Sequence, residues 1–506
     1  MDIKLTIEKL LKYSLVHLGL DKNDEIYFRN RLLSILNVDS PYFGEVNLEY
    51  ISTLEVPDTL LEEVKEYLVR NNEENIEQKL VEIMGLLSPL PSQVIRKVNE
   101  LENEKEGSGL DYLYNLSIKN NYIQKTAIDK NIYFKKEYDN NFLEITINLS
   151  KPEKNNKDIA KLLTVKQDVK YPKCLLCKEN MGYGGRIDHP SRVNIRTLPI
   201  VLNKEKWFLQ YSPYAYFYKH AIIINDEHSN MSINNDTFVK LLDFVNIYPS
   251  FFVGSNADLP IVGGSILNHE HYQGGAHLLP VFFSKDRKVY LENDKVKISI
   301  LDWYNSTLRI ESKDKDEVVK YSRMIFNKWI SYSDERVDII SHTNGTRHNT
   351  ITPIARKMGD TYSMNLILRN NRCNEEHPEG IFHAHREYHH IKQEGIGLIE
   401  AMGLFILPPR LKRQMGYIQE ILSEDKKLET YYEQYEDLII HKDMIDYLVS
   451  NYGRNLEDNK INEVITDYIA NTCRSILINT AVFKNDELGN SALDKFMEGV
   501  LNETRN

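Results

Sequence analysis

Apolar residues recur every three to four positions at both ends of the chain and every second position through much of its middle. Ile3, Ile7, Leu10, Leu11 and Leu18 trace one helical face, and Leu60, Leu61, Val64 and Leu68 trace another. Stripes of this period predict amphipathic helices. A third run, Leu80, Val81, Ile83, Leu86 and Leu87, stops at Ser88-Pro89-Leu90-Pro91-Ser92, with Ser92 placed to cap a helix from Gln93 to Glu102. Glu102 to Gly109 is charged and then glycine-bearing, which predicts a linker. Past Tyr112 the period shortens. Leu143, Ile145, Ile147 and Leu149 alternate with polar residues, as a half-buried strand requires. Trp207-Phe208-Leu209, Tyr214 to Tyr218, Ala221 to Ile224, Phe251 to Val253, His277 to Phe283 and Ser363 to Leu368 are further strand candidates. From Ile391 onward the helical period returns, interrupted at Pro408-Pro409, and residues 411–506 carry no chemical constellation.

These textures divide the chain into a helical N-terminal extension (1–105), a first mixed unit (106–290), a second mixed unit (291–410) and a helical C-terminal extension (411–506). The two middle parts echo each other. Asn344 to Pro353, a strand from Ser363 to Leu368, and His383-Ala-His385 repeat the order of strand, polar loop and H-x-H found earlier. The fold class this predicts is α+β.

Candidate chemistry is concentrated in Gly254 to Gly275, GSNADLPIVGGSILNHEHYQGG. A buried strand feeding a small, polar loop can turn backbone amides toward an anion. His269 and His271, two residues apart, share a side if that piece is extended. A neutral imidazole attacks phosphorus near pH 7, provided that its other ring nitrogen is held by an acceptor. Gln273, two residues further on, can donate to a phosphoryl oxygen but cannot protonate a leaving group. Ten of the 15 histidines fall between His269 and His390, a concentration that core packing does not explain. Upstream, Cys174-Leu-Leu-Cys177 is a C-x-x-C knuckle, suited to a metal or to a redox pair. With His269, the two cysteines need one more ligand to complete a tetrahedron, and His228 is the candidate.

Composition narrows the classes. At 506 residues the chain exceeds one ordinary core. A formal net charge of −11 argues against a general nucleic-acid binder. No apolar run approaches the roughly 18 residues of a membrane span, and the charged N-terminus lacks a signal core. Four cysteines are too few for a disulfide scaffold, so a cytoplasmic setting is expected.

Six stretches carry a specific resemblance: NLSIKNNYIQ, LEITINLSKPEKN, YPKCLLCKENMGYGG, SNADLPIVGGSILNHEHYQGG, NTITPIARKMGD and IFHAHREYHHIKQEGIGLIEAMGLFILPPR. Together they span roughly residues 110 to 412 and resemble galactose-1-phosphate uridylyltransferases of the class II, Gram-positive type. The resemblance implies a duplicated histidine-triad-like α+β fold with antiparallel sheet and helical extensions, usually dimeric. It implies exchange of UMP between UDP-glucose and galactose 1-phosphate by a ping-pong route, with His271 as nucleophile and Gln273 on the phosphoryl oxygens. Uridylyl contacts would fall on Asn256, Gly263, Gly264 and Ser265. A structural zinc would take Cys174, Cys177, His228 and His269, and a second metal would draw on His383 and His385. Glu270 stands where the class I pattern has proline. Two other readings are a histidine-triad-type nucleotide hydrolase or phosphorylase, of which Gln273 disfavours the hydrolase, and a non-catalytic metal-binding protein of the same fold, which intact His271 and Gln273 disfavour.

Overall fold

The computed structural model describes residues 2–150, 171–264, 266–424 and 428–502. The chain divides into two compact units. The first contains residues 2–130, 171–229 and 269–275, and the second holds the rest of the described chain. Each has an antiparallel sheet.

In the first unit the predicted stripes become helices Ile3–Tyr13, Asp58–Arg70 and Ile76–Leu87, which bury Ile7, Leu10, Leu11, Leu60, Val64, Ile83 and Met84. Burying each such side chain contributes about 1.5–3 kcal/mol. The helix at the second proline runs Pro91–Glu104 and begins two residues earlier than Ser92 would set it. Its cap is Leu90, whose N–H donates to the Gln93 side chain at 2.7 Å. Proline fits the first helical position because the N–H it lacks has no partner there. The linker shrinks to Lys105–Gly107, because a new helix, Ser108–Lys119, starts at once.

These helices do not stand apart from the first unit's strands. Arg196 is buried and donates to the carbonyls of Gly85, Ser88, Pro89, Val193 and Ile195 at 2.6–3.4 Å. It thereby satisfies the orphan carbonyls at the end of the Ile76–Leu87 helix. Burial lowers its guanidinium to about 10, so it stays cationic near neutrality. Gly85 is glycine for this reason, since a Cβ there would lie 2.3 Å from Val193 Cγ1. Asn120 and Asn194 exchange side-chain-to-carbonyl bonds of 2.7 and 3.0 Å, and the Tyr211 hydroxyl donates to Leu110 O at 2.9 Å.

The first unit's sheet runs Leu198–Leu202, Glu205–Tyr211, Ala221–Asn225, His271–Gly275, antiparallel throughout. The sheet of the second unit runs Phe252–Gly254, Asn349–Met358, Thr361–Asn370, Thr307–Ser312, Lys297–Leu301, Asp286–Glu292. A smaller sheet in the second unit pairs Phe142–Ile147 antiparallel with Ile132–Glu137 and parallel with Leu404–Leu407.

Three expected strands differ. Tyr214 to Tyr218 is a turn, with Ala215 at φ 36° and Lys219 at φ 55°. Pro280, which cannot donate to a ladder, opens a 3₁₀ turn at Pro280–Phe283. The Phe142–Ile147 strand stops short of Leu149. Conversely, Leu404–Leu407 is a strand inside the stretch whose period predicts helix. No helix among the described residues is long and apolar enough to cross a membrane.

Replacing Arg196 with methionine would keep its stem packed and leave several buried carbonyls unmet. At about 1–3 kcal/mol for an unmet buried group, the variant is expected to lose at least 2 kcal/mol of stability. Denaturant melts of the two proteins measure this, and a loss under 0.5 kcal/mol would refute the anchoring role.

Candidate functional site

The site in the first unit is built on two antiparallel strands. Register pairs Ile224 with His271, Ile223 with Tyr272, Ile222 with Gln273 and Ala221 with Gly274. Strand period puts His271 and Gln273 on one face and Glu270 and Tyr272 on the other. Glu270 accepts from Asn225 Nδ2 at 2.8 Å and from the Tyr272 hydroxyl at 3.2 Å, and Tyr272 stacks on Trp207 with centroids 4.7 Å apart. The residue that replaces proline in this motif is thus a buried tether.

His271 is buried, and its Nδ1 lies 2.8 Å from the carbonyl of His269. A carbonyl only accepts, so the ring proton sits on Nδ1 and the lone pair on Nε2. Burial, opposed by that hydrogen bond, lowers the imidazole to about 4, and it is neutral at pH 7. These are the tautomer and charge state of a nitrogen nucleophile.

His269, two residues earlier, uses its other face. Its Nε2–H donates to Asn225 O at 2.9 Å, which turns Nδ1 toward the cysteines. Nδ1 of His269 lies 3.3 Å from Cys174 Sγ and 3.8 Å from Cys177 Sγ. Nδ1 of His228 lies 3.1 Å from Cys177 Sγ, and the two sulfurs are 3.6 Å apart. All four ligand atoms fall within 4.8 Å of one another. Among the described residues this is the only group of three or more His, Cys, Asp or Glu arranged to hold a metal ion.

The knuckle itself is fixed by Asn180, which donates to the Cys174 and Cys177 carbonyls at 2.9 and 2.7 Å and is held in turn by His189 at 2.6 Å. The sulfurs are well beyond the roughly 2.05 Å of a disulfide. Their mutual hydrogen bond lowers Cys174 to about 7 and, with burial, raises Cys177 to about 11. A cation among the four atoms would favour both thiolates. The redox reading has little support in this set, because two imidazoles converge on the same point.

His220 went unnoticed in the sequence. It precedes the strand Ala221–Asn225, and its Nε2 lies 3.0 Å from Gln273 Oε1. Asn225 and Asn180 were also missed. None of the three is marked by spacing, and each reaches the site through backbone pairing or a turn.

The loop residues Asn256, Gly263 and Gly264 lie in the second unit. Asn256 is buried, and its Oδ1 accepts the Leu398 N–H at 2.8 Å. Gly264 packs on that side chain, where a Cβ would come within 2.8 Å of Asn256 Nδ2. At Gly263 a Cβ would meet Leu259 O at 2.5 Å. Ser265 lies outside the described residues.

His383 and His385 are engaged otherwise. His383 Nε2 accepts the Ile396 N–H at 3.3 Å, and the same residue's carbonyl takes a bond from buried Arg369 at 2.8 Å. Burial and this guanidinium lower His383 to about 4. His385 donates to Ile381 O at 3.1 Å and stacks on His377. No third ligand joins the pair among the described residues.

Comparison with known proteins gives the family. The N-terminal domain of galactose-1-phosphate uridyl transferase matches residues 19–230, and its C-terminal domain matches 215–434. The chain belongs to the galactose-1-phosphate uridylyltransferase family. It is 44% identical to the galactose-1-phosphate uridylyltransferase of Clostridium acetobutylicum, over 97% of this chain and 98% of that protein. It is 41% identical to those of Caldanaerobacter subterraneus and Fusobacterium nucleatum, over 98–99% of each chain. Among solved structures, yeast Ap4A phosphorylase Apa2 aligns over 64% of this chain and 90% of its own at 10% identity. Its TM-score of 0.33 is too loose to carry an argument.

Proposed function

We propose that this chain is a nucleotidyltransferase that exchanges UMP between UDP-glucose and galactose 1-phosphate through a uridylyl-His271 intermediate. The observation that carries the reading is the 2.8 Å bond from His271 Nδ1 to His269 O, which leaves Nε2 as the basic nitrogen of a neutral ring. In the first half-reaction Nε2 attacks the α-phosphorus of UDP-glucose. A P–N bond forms, and the P–O bond to glucose 1-phosphate breaks. The leaving oxygen departs as phosphate and needs no proton. The ring becomes cationic as it is phosphorylated, and its Nδ1–H bond to the carbonyl strengthens. In the second half-reaction a phosphate oxygen of galactose 1-phosphate attacks the same phosphorus and the P–N bond breaks. Gln273 donates its amide N–H to a non-bridging oxygen as charge builds there. Asn256, Gly263, Gly264 and Ser265 keep the uridylyl-binding role that the family pattern gives them. An antiparallel sheet in each unit supports reading the chain as a doubled histidine-triad-like motif.

Cys174, Cys177, His228 and His269 fit zinc. Bond lengths of about 2.3 Å to sulfur and 2.0–2.1 Å to nitrogen make tetrahedron edges of about 3.8 Å for S···S and 3.5 Å for S···N. The four distances in this set run from 3.1 to 3.8 Å. A zinc ion held by these four residues would brace the strand that carries His271, a structural role and not one on substrate.

His271→Ala is expected to reduce transfer by several orders of magnitude. Wild-type protein should exchange labelled glucose 1-phosphate into UDP-glucose without galactose 1-phosphate, and the variant should not. Retention of more than about a tenth of wild-type transfer would remove His271 from this role.

Gln273→Ala should lower kcat by about 10²–10³ with KM little changed, as for loss of one transition-state donor. A raised KM with kcat intact would make Gln273 a binding residue only.

Purified protein should carry about one zinc per chain by metal analysis, and Cys177→Ser should lose the metal and melt at lower temperature. A metal-free wild type, with a melting temperature indifferent to added zinc, would count against the site.

A further inference from the structure

We infer that His220 is a positioning residue that sets the orientation of the Gln273 carboxamide. The inference rests on the role of Gln273 proposed above. A glutamine side chain has two ends of opposite character, and only the N–H end helps a phosphoryl oxygen. Something must decide which end faces the substrate.

His220 Nε2 lies 3.0 Å from Gln273 Oε1, and His220 Nδ1 is buried with no partner. Two arrangements satisfy the contact. In one, His220 Nε2–H donates to the Gln273 carbonyl, and the unmet atom Nδ1 bears only a lone pair. In the other, the amide is flipped and donates to His220 Nε2, so the ring proton moves to Nδ1 and becomes a buried N–H with no acceptor. A buried N–H with no acceptor is the costlier of the two unmet atoms, as among backbone groups, where orphaned donors are the rarer. The first arrangement therefore holds, and the NH₂ end of Gln273 is turned away from His220.

The geometry keeps His220 in place. It stands one position before the paired stretch, diagonal to Gln273, where cross-strand side chains reach each other. Its ring packs on Phe217 (centroids 4.5 Å apart) and stacks on Tyr216 at 5.4 Å. Its backbone is held by Phe217 O at 3.1 Å and by Ser212 N–H at 2.8 Å. Gly275 makes room for this cluster, since a Cβ there would fall 2.6 Å from the Phe217 ring. Burial keeps His220 neutral, down at about 4, so it supplies a directed dipole and no charge.

The test is a double-mutant cycle read by single-turnover uridylylation with UDP-glucose. His220→Phe keeps a ring and removes the donor, while His220→Gln restores an N–H donor. His220→Phe is expected to slow uridylylation by roughly 10-fold or more with KM little changed, and His220→Gln to recover part of that. In a Gln273→Ala background, His220→Phe should cost less than about 2-fold, because nothing is left to orient. Unchanged zinc content and melting temperature identify variants that have folded. Should His220→Phe fail to fold, His220→Leu takes its place in the cycle. The inference is overturned if His220→Phe costs the same factor in both backgrounds, or leaves kcat at wild type while Gln273→Ala is slow. If Gln273→Ala is itself as fast as wild type, the proposed role of Gln273 falls first and the inference falls with it.

Discussion

The hydrogen bonds around Asn225 hold the site together. Its carbonyl takes Nε2–H of His269, its N–H donates to Glu270 O at 3.0 Å, and its side chain reaches both Glu270 and the Glu227 N–H. One residue thereby fixes the tautomer of a metal-facing histidine, closes the end of the His271–Gly275 ladder and shapes the turn that carries His228. The His269 carbonyl is then positioned to hold His271. A shift of the ladder by one residue would exchange the His271 face with the Glu270 face, so register and chemistry are one constraint.

Desolvation acts on His271 and on His220, and in the same direction. His271 and His220 are both pushed far below the usual imidazole range by burial. An exposed imidazole would spend part of its time protonated near neutrality and would lose its nucleophilic lone pair for that fraction. Burial removes that loss, and a single carbonyl then suffices to choose the nitrogen. The cost of burying the His271 ring is met by the backbone carbonyl of His269, and that of burying His220 is offset in part by the Gln273 side chain.

Much of this was legible in the chain. The C-x-x-C knuckle, His228 and His269 declared a ligand set by residue type, and the structure brings all four together because two are three residues apart and two flank the ends of paired strands. The helical stripes of the first 105 residues were equally plain. Their attachment was not, because it runs through Arg196, Asn194 and Tyr211, which lie far along the chain and have no periodic signature. Tyr214 to Tyr218 looked like a strand because aromatic residues favour sheets, but positive φ at Ala215 and Lys219 overrode that propensity. Leu404–Leu407 was hidden in a helical stretch because a four-residue apolar run has no period of its own. The second H-x-H pair is the reverse case. Its spacing matched a metal motif, while a buried guanidinium and the backbone engage its surroundings.

His220 bears on why a glutamine occupies the third place of the motif. A histidine at that position serves a leaving group that must be protonated. In the proposed transfer the sugar 1-phosphate leaves as a stable anion, and an acid there, once it had lost its proton, would be a base able to activate water against the uridylylated histidine. A further imidazole, His220, touches Gln273, but burial keeps it deprotonated. It can direct an amide, and it cannot act as an acid near pH 7. Protonating it would demand a buried charge beside an unmet Nδ1, which the surrounding aromatic rings do nothing to solvate. The replacement of an acid by an oriented amide is thus a property of the pair, and it favours transfer to a phosphate oxygen over hydrolysis.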